Sequence, residues 1–222
     1  MAAGSGLIAT ESLRAALLDV TRRLGLEVTD EHSHRLLGYV ALLHRWNATY
    51  NLTSVRDPAQ MLTLHLADCL AVIEPLRRQM PAGATRLLDV GSGGGLPGVV
   101  IAILNPALTV TCVDSVGKKA AFVQQVAGEL RLPNLHAKHA RVENLGDATF
   151  DAITSRAFST LADFTRLTRG YLQARGVWMA MKGKAPTGEM AALLPDISVF
   201  HVEPITVPGL DAERCLVWMR AA

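Results

Sequence analysis

The sequence predicts a doubly wound α/β fold with one antiparallel strand in an otherwise parallel sheet, preceded by a helical N-terminal extension. Three features lead to this prediction. Apolar residues recur at helical spacing through the first 80 residues, and short apolar runs alternate with amphipathic segments after them. The chain then ends on two strand-like segments whose connection is too short for a helical crossover.

Three helices are predicted in the extension. The first covers 11–25, where apolar residues recur every three or four positions and Gly25 ends the helix. The second begins after Thr29, whose hydroxyl can cap it. The third begins at Asp57, which is followed by a proline suited to the first helical position, and runs to about Leu76. The extension is therefore expected to be helical throughout.

From residue 81 onward the pattern is typical of a parallel sheet covered by helices on both faces. The apolar runs are, in chain order, RLLDV, VVIAIL, LTVTCVD, LHAKHA, DAITSRAF and GVWMAMKG, and a helix is predicted from Lys118 to Leu130. The last two segments, SVFHVEPITV and RCLVWMRA, are joined only by PGLDAE and must pair as a hairpin, which reverses one strand. We therefore divide the chain into a helical extension, 1–80, and a second domain, 81–222.

The composition is that of a globular protein and gives no sign of a metal site. Half of the 222 residues are hydrophobic, and 22 lysines and arginines face 20 acids, so the net charge does not by itself indicate nucleic acid. Cys69, Cys112 and Cys215 lack zinc-site spacing and are interpreted as buried thiols in a reducing compartment. The sequence shows no secretory leader and no apolar segment of membrane length, which predicts a cytoplasmic protein.

Residues 86–98, RLLDVGSGGGLPG, join a buried strand ending in an acid to five glycines in eight residues. Glycines at such a turn let the backbone approach a ligand closely, and N–H groups at the start of the next helix point towards it. The alternative is a tight turn that needs glycine for packing only. The segment from Gly93 to Gly98 also fits the GxGxxG pattern of dinucleotide sites, with Asp114 at the distance expected for a ribose-binding acid.

Three features favour S-adenosylmethionine (SAM) over a dinucleotide at this turn. Asp89, just ahead of the first glycine, would repel a pyrophosphate but attract the ammonium group of the methionine end, close to the sulfonium. The terminal hairpin resembles the reversed strand of class I methyltransferases, and the chain has neither a YxxxK pair nor a separate domain for hydride chemistry. Asp114 would then bind both ribose hydroxyls, unless it only caps the helix predicted at Lys118.

A series of short motifs, from about residue 36 to the C-terminus, carries a family resemblance. In chain order they are Trp46-Asn47, Asn51-Leu52-Thr53, His65 with Asp68, DVGSGGGLPG, Asp114-Ser115, Gly117-Lys118-Lys119, Arg141-Val142-Glu143, Ser155-Arg156-Ala157-Phe158 and Lys182-Gly183. Together they resemble the glucose-inhibited division protein B family of small-subunit ribosomal RNA guanine-N7 methyltransferases. The resemblance implies a class I methyltransferase fold, SAM as cofactor, and small-subunit (16S) ribosomal RNA or the assembling small subunit as partner.

The expected cofactor-binding residues follow from the glycine turn and from this resemblance. By resemblance, Gly91 and Leu96 line the methionine and sulfonium region, Val142 and Glu143 border the adenine, and Arg156 contacts the cofactor and can face the substrate. Glu143 could instead cap the next turn, and Arg156 could be a solvated loop residue. The expected set is Asp89, Gly91, Gly93, Leu96, Asp114, Ser115, Val142, Glu143 and Arg156.

The expected substrate-binding residues are Asn47, Asn51, His65, Lys118, Arg156 and Lys182. A basic face for RNA phosphates is predicted around the crevice from Lys118, Lys119, Arg141, Arg156, Lys182 and Lys184. Alternatives stay open for several of these residues. Asn47 and Asn51 could cap a helix end, His65 and Asp68 could be a structural pair that fixes the extension to the sheet, and the two late lysines could be solvated charges. The family commonly has an arginine where this chain has Leu64.

The residues after the fourth strand indicate the kind of methyl transfer. This strand ends in TSRAF, 154–158, and not in the (D/N)PP(Y/F) motif of enzymes that methylate exocyclic amines, and no cysteine nucleophile for C5 methylation is identified. Guanine N7 has an in-plane lone pair and no proton, so it needs no general base. Neither a catalytic base nor a metal is therefore expected. Two other classes stay open: a dinucleotide-dependent oxidoreductase, and an RNA-binding assembly factor without catalytic activity.

Overall fold

The structure, a computed structural model, describes the backbone of residues 2–222 and the side chains of residues 11–222. Its first 80 residues are mainly helical, and strands alternate with helices after them. The α-helices are α1 (Ala2–Arg23), α2 (Asp30–Tyr50), α3 (Pro58–Met61), α4 (Asp68–Leu70), α5 (Ile73–Gln79), α6 (Gly98–Leu104), α7 (Gly117–Glu129), α8 (Leu161–Thr168) and α9 (Thr187–Ala191).

The predicted C-terminal end of the first helix and the predicted start of the second are confirmed, whereas α1 begins at Ala2 and not at residue 11. Gly25, just after α1, has a φ of 67°, a left-handed conformation that favours glycine. The Thr29 hydroxyl caps α2 by accepting a hydrogen bond from the His32 amide at 3.1 Å. Leu17 of α1 and Leu36 of α2 are fully buried. Both helices therefore present the apolar stripes that their spacing predicts.

The third predicted helix is not continuous, so that prediction is wrong in part. It begins as expected after Asp57, which caps α3. However, Leu62–Ala67 is a π-helical turn, and the helix breaks at Ala71 before α5. Pro75 explains the break, because its ring clashes with the carbonyl four residues earlier, that of Ala71, and because it has no amide hydrogen.

The described residues form one sheet of seven strands in the order β3-β2-β1-β4-β5-β7-β6. The strands are β1 (Arg86–Val90), β2 (Thr109–Asp114), β3 (Leu135–His139), β4 (Phe150–Arg156), β5 (Leu172–Lys182), β6 (Ile197–Ile205) and β7 (Arg214–Ala221). Strands β1 to β5 pair in parallel, and β7 is antiparallel to both of its neighbours. The predicted doubly wound sheet with one reversed strand is therefore confirmed.

The apolar run VVIAIL, grouped with the strands by its pattern, forms helix α6 instead. Every residue of Gly98–Leu104 is buried, so the run has no polar face that would show a helical period. Helix α6 contacts β2 as well as α2 and α4. Burial on all sides is therefore the reason why its sequence looks like that of a central strand.

The sheet separates two hydrophobic cores, and the larger one includes residues of the helical extension. Strand order reverses at β1, because β2 lies on one side of it and β4 on the other. Parallel sheets bind ligands in the crevice outside the carboxyl ends of the strands at such a point. Among the described residues, no helix has both the length and the apolar character to cross a bilayer.

Gly98→Ala is expected to lower the free energy of unfolding by about 1–3 kcal/mol. A Cβ atom there would clash with Cys112 Sγ and would lie 2.9 Å from Asp89 Oδ2, so α6 would have to move away from the sheet. Gly128→Ala is the matched control, because its Cβ would meet no atom within 4 Å and alanine favours a helix over glycine. Urea unfolding measures both variants. Wild-type stability of Gly98→Ala would contradict this packing.

Candidate active site at the carboxyl ends of the strands

Two adjoining cavities open at the carboxyl ends of the strands. The larger cavity, of about 630 Å³, lies between the helical extension and the ends of β1, β4 and β5. The smaller cavity, of about 440 Å³, lies beyond β2, β3 and β4. Gly91, Lys119 and Ala157 line both cavities. The two cavities therefore form one crevice that is divided at the glycine loop, residues 91–97.

The glycine loop is fixed by its own conformation and by helix α2. Gly91, Gly93 and Gly95 have φ angles of 63°, 58° and 83°, which explains why glycine occupies these positions. The Tyr39 hydroxyl donates a hydrogen bond of 2.8 Å to the carbonyl oxygen of Gly94. The helical extension therefore contacts the turn that was predicted to bind the cofactor.

Asp89 supports the glycine loop from behind and lines neither cavity. It is fully buried, and its Oδ2 accepts a hydrogen bond of 2.8 Å from the Gly98 amide, whereas no described residue is a partner of its Oδ1. Burial raises the pKa of this carboxyl to about 7, because desolvation disfavours the charged form. An effect of Asp89 on a cofactor ammonium group would therefore act through the loop and not by direct contact.

Asp114 holds two backbone amides at the end of β2. Its Oδ2 accepts a hydrogen bond from Gly93 and its Oδ1 accepts one from Val116, each at 2.9 Å. The carboxylate thus fixes both the glycine loop and the turn before α7, but it caps no amide of α7 itself, so the capping alternative is not confirmed. Asp114 also lines the smaller cavity beside Ser115, so ribose binding stays a prediction.

The residues expected at the two ends of the cofactor line different cavities. A 3₁₀ turn, Val142–Asn144, brings Val142 and Glu143 to the smaller cavity. Leu96 is buried in the wall of the larger cavity. A molecule with an adenine at one end and a methionine at the other would therefore have to cross the glycine loop.

Phe158 is a cavity residue that the expected site sets omit. It lines the smaller cavity, and a Cβ atom on Gly91 would come within 2.7 Å of Phe158 Cδ2. Ala157, with a φ of 56°, turns the chain sharply between β4 and this ring. In the sequence, the sign of this role is that Phe158 is the last residue of the motif Ser155-Arg156-Ala157-Phe158, at the end of β4.

Asp68 joins the helical extension to the sheet through two arginines. Its Oδ2 accepts a hydrogen bond of 3.2 Å from Arg156 Nη1, and its Oδ1 accepts one of 3.0 Å from Arg214 Nε. Asp68 is only 4% exposed, and all three residues line the larger cavity. Asp68 thus has the expected structural contact with the sheet, but its partners are arginines and not His65. Arg214, at the start of β7, belongs to none of the motifs in the sequence.

Asn47 and Asn51 differ in their contacts. Asn47 is buried, and both ends of its side-chain amide have partners. Its Nδ2 donates to the Val55 carbonyl and its Oδ1 accepts from the Thr53 amide, each at 2.9 Å. Its expected role in substrate binding does not fit this geometry, since both ends of its amide hold the loop after α2. The capping alternative holds for Asn51, an exposed residue at the end of α2. His65 lines the larger cavity, with its Nε2 2.7 Å from Thr53 Oγ1.

The predicted basic face is compensated in part by glutamates. Lys182 Nζ donates to Glu189 Oε2 at 2.9 Å, and Lys184 lies 3.6 Å from another glutamate. Lys118 and Arg141 are exposed. A phosphate contact with Lys182 would therefore compete with Glu189, whereas Lys118 and Arg141 face solvent.

Comparison with known sequences assigns the chain to a family. A family model described as rRNA small subunit methyltransferase G matches residues 32–217. The ribosomal RNA small subunit methyltransferase G of Leptothrix cholodnii is 58% identical over 207 residues, which cover 93% of this chain and 95% of that protein. The chain belongs to the rRNA small subunit methyltransferase G family. The Methylibium petroleiphilum member is also 58% identical, over 209 residues that cover 94% of this chain and 95% of that protein.

Solved structures that resemble this member of the methyltransferase G family share its fold. A SAM-dependent methyltransferase from Aquifex aeolicus has a TM-score of 0.56 and 17% identity, covering 76% of this chain and 96% of that chain. TrmN from Thermus thermophilus has a TM-score of 0.52 and 18% identity, covering 69% of this chain and 49% of that chain. At such identities the likeness shows the fold alone. The predicted class I methyltransferase fold is confirmed.

Membership of the methyltransferase G family confirms the resemblance that the motifs indicated. It favours neither a dinucleotide-dependent oxidoreductase nor an assembly factor without catalytic activity. In the part of the chain whose side chains are described, no three histidine, cysteine, aspartate or glutamate side chains are grouped to hold a metal ion. The three cysteines are free and buried, as the sequence predicted.

Asp89→Asn is expected to remove a pH dependence of stability between about pH 4 and pH 7. The folded-state pKa of about 7 lies above the value near 3.8 of an ordinary aspartate, so in this interval the folded protein holds a proton that the unfolded chain has released. The wild-type free energy of unfolding should therefore fall as the pH rises through the interval and level off above it. Urea unfolding of both proteins measures this. A difference between them that is constant with pH would contradict the burial of the carboxyl.

Proposed function

We propose that this chain transfers a methyl group from SAM to N7 of a guanine in small-subunit (16S) ribosomal RNA. Family membership across nearly the whole chain supports the reaction class. The observation that carries the proposal is the pair of adjoining cavities, because one can take an adenosine and the other a methionine end together with an unstacked base. Cofactor and target base would then meet beside the glycine loop.

The residues of the smaller cavity fit the adenosine of SAM. Asp114 and Ser115 would lie beside the ribose, and Val142 and Glu143 beside the adenine. Behind the loop, the buried Oδ1 of Asp89 has no partner, and the carboxyl, whose pKa is raised to about 7, would favour a cationic ligand when it ionises. When bound, SAM supplies a methyl group that its sulfonium makes electrophilic.

The methionine end would lie along the glycine loop, against Gly91, Gly93 and Leu96 of the larger cavity. Arg156 is held in the same wall by Asp68. A guanine gains positive charge as it accepts a methyl group, so a neighbouring guanidinium would oppose the reaction unless it binds an anion. We therefore assign Arg156 to binding a carboxylate or a phosphate.

Transfer to N7 needs alignment and exclusion of water, because the acceptor has no proton to lose. The larger cavity is lined by one carboxylate, that of Asp68, and two arginines already engage it. Among the described residues, no cysteine lines either cavity. The two groups of this lining best suited to accept a proton are both engaged, Asp68 by the arginines and His65 by Thr53, which fits a reaction without a general base.

The proposed RNA surface extends from the larger cavity across α2 and α7. His65 lines the cavity, and Asn51 and Lys118 are exposed. Asn47 and Lys182 would act indirectly, by holding the loop after α2 and the segment that contains Glu189. Exposed lysines bind phosphates without reading the base sequence.

The helical extension would complete the active site of the methyltransferase domain. We keep the division into an extension, 1–80, and a SAM-binding domain, 81–222. Tyr39 and Asp68 of the extension both reach the crevice of that domain. The partner would be small-subunit ribosomal RNA, free or within an assembling subunit. The protein would act in the cytoplasm, where small subunits are assembled.

Incubation with SAM of small subunits, and of free 16S RNA, from cells that lack this protein tests the proposal. We expect a new methyl group on a guanine in at least one of the two. Borohydride reduction followed by aniline cleavage distinguishes N7 methylation from isomers of the same mass. Methylation of a different atom, or no transfer by protein that binds SAM, would overturn the proposal.

Asp114→Ala should lower SAM affinity by about 1.5–3 kcal/mol and leave the modified position unchanged.

A further inference from the structure

Three aromatic rings lead from the core to the surface at the end of α2. Phe122 is fully buried, Trp46 is half-buried, and Tyr50 is 43% exposed. The ring centroids of Phe122 and Trp46 are 5.5 Å apart, and those of Trp46 and Tyr50 are 5.0 Å apart with 36° between their planes. Tyr50 is therefore an exposed aromatic side chain that packs on Trp46.

These rings lie beside the crevice because two of them continue the stripe of α2 that lines it. Tyr39 and Leu43 of α2 line the larger cavity, and Trp46 and Tyr50 follow them at helical spacing on the same side of the helix. Trp46 also packs against Phe122 of α7. The two residues after Asn51, Leu52 and Thr53, line the larger cavity, so the rings lie at its mouth.

The charges at this mouth are suited to a polyanion. Arg56 is exposed and donates to Asn51 Oδ1 at 2.9 Å, next to Tyr50 in the chain. Lys118, one helical turn before Phe122, is exposed as well. An exposed aromatic ring flanked by cationic side chains is the arrangement that proteins use for unstacked nucleotides.

We propose that Tyr50 is a stacking platform for an RNA base next to the target guanine. This inference rests on the proposed function. A base that is methylated within a cavity must leave its stack, and its neighbours then lose a stacking partner. The free side of the Tyr50 ring replaces that partner, while Trp46 holds the ring in place. Arg56 and Lys118 contact the phosphates on either side.

The test compares Tyr50→Ala, Tyr50→Leu and Tyr50→Phe with wild type in methyl transfer at saturating SAM. Leucine keeps apolar contact with Trp46 but has no ring, and phenylalanine keeps the ring without the hydroxyl. We expect the KM for RNA to rise about 5- to 100-fold in the alanine and leucine variants and to stay near wild type in the phenylalanine variant. The Kd for SAM and the salt dependence of RNA binding should not change, because no phosphate contact is lost.

Leu194→Ala is the matched control, because Leu194 is 47% exposed and lies at the opposite edge of the sheet. It stands just before β6, and the first residue of β6 pairs with the end of β7. A wild-type KM for Tyr50→Leu would overturn the inference. An equal rise in the KM of Tyr50→Phe would also overturn it, because the hydroxyl and not the ring would then be the contact with RNA. A rise in KM with assembled subunits but not with protein-free RNA would show that Tyr50 contacts a ribosomal protein instead of a base. A wild-type protein that methylates no RNA would refute the proposed function itself.

Discussion

The crevice depends on a glycine loop that three separate elements hold in place. Asp114 at the end of β2 binds the Gly93 amide, the Tyr39 hydroxyl of α2 binds the Gly94 carbonyl, and Asp89 of β1 binds the first amide of α6, at Gly98. Each contact satisfies a backbone polar group of the loop or of the helix after it, and that of Gly98 is buried. Because this loop is the wall between the two cavities, its fixed conformation sets the shape of both before any ligand binds.

The same loop makes the helical extension part of the candidate active site. Tyr39 reaches the loop from α2, and Asp68 binds Arg156 and Arg214 from the far side of the larger cavity. A buried carboxylate between two arginines tolerates little displacement, since either guanidinium would be left without its counter-charge. Movement of the extension would therefore disturb both the loop and Arg156, which couples the proposed RNA surface to the proposed cofactor site.

Local signals in the sequence predict the framework, and contacts distant in sequence explain what they miss. The helix caps, the glycine turn and the terminal hairpin are each encoded within a few residues, and the structure confirms them. Helix α6 was missed because it is buried on all sides. The contacts of Asp68 with Arg214 and of Lys182 with Glu189 join segments that no motif links. Burial also decides the role of Asn47, because its spacing from Asn51 is equally compatible with a residue that binds the substrate.

We expect this crevice to bind SAM and not a nicotinamide dinucleotide, because acids lie behind the glycine loop and in the smaller cavity. The Asp89 carboxylate lies behind the loop, and Asp114 lines the smaller cavity with both of its oxygens on backbone amides. Titration calorimetry with SAM, with its demethylated product and with NADH is the decisive measurement. We expect SAM and its product to bind and NADH not to bind. Tight binding of NADH with no binding of either sulfur compound would contradict it.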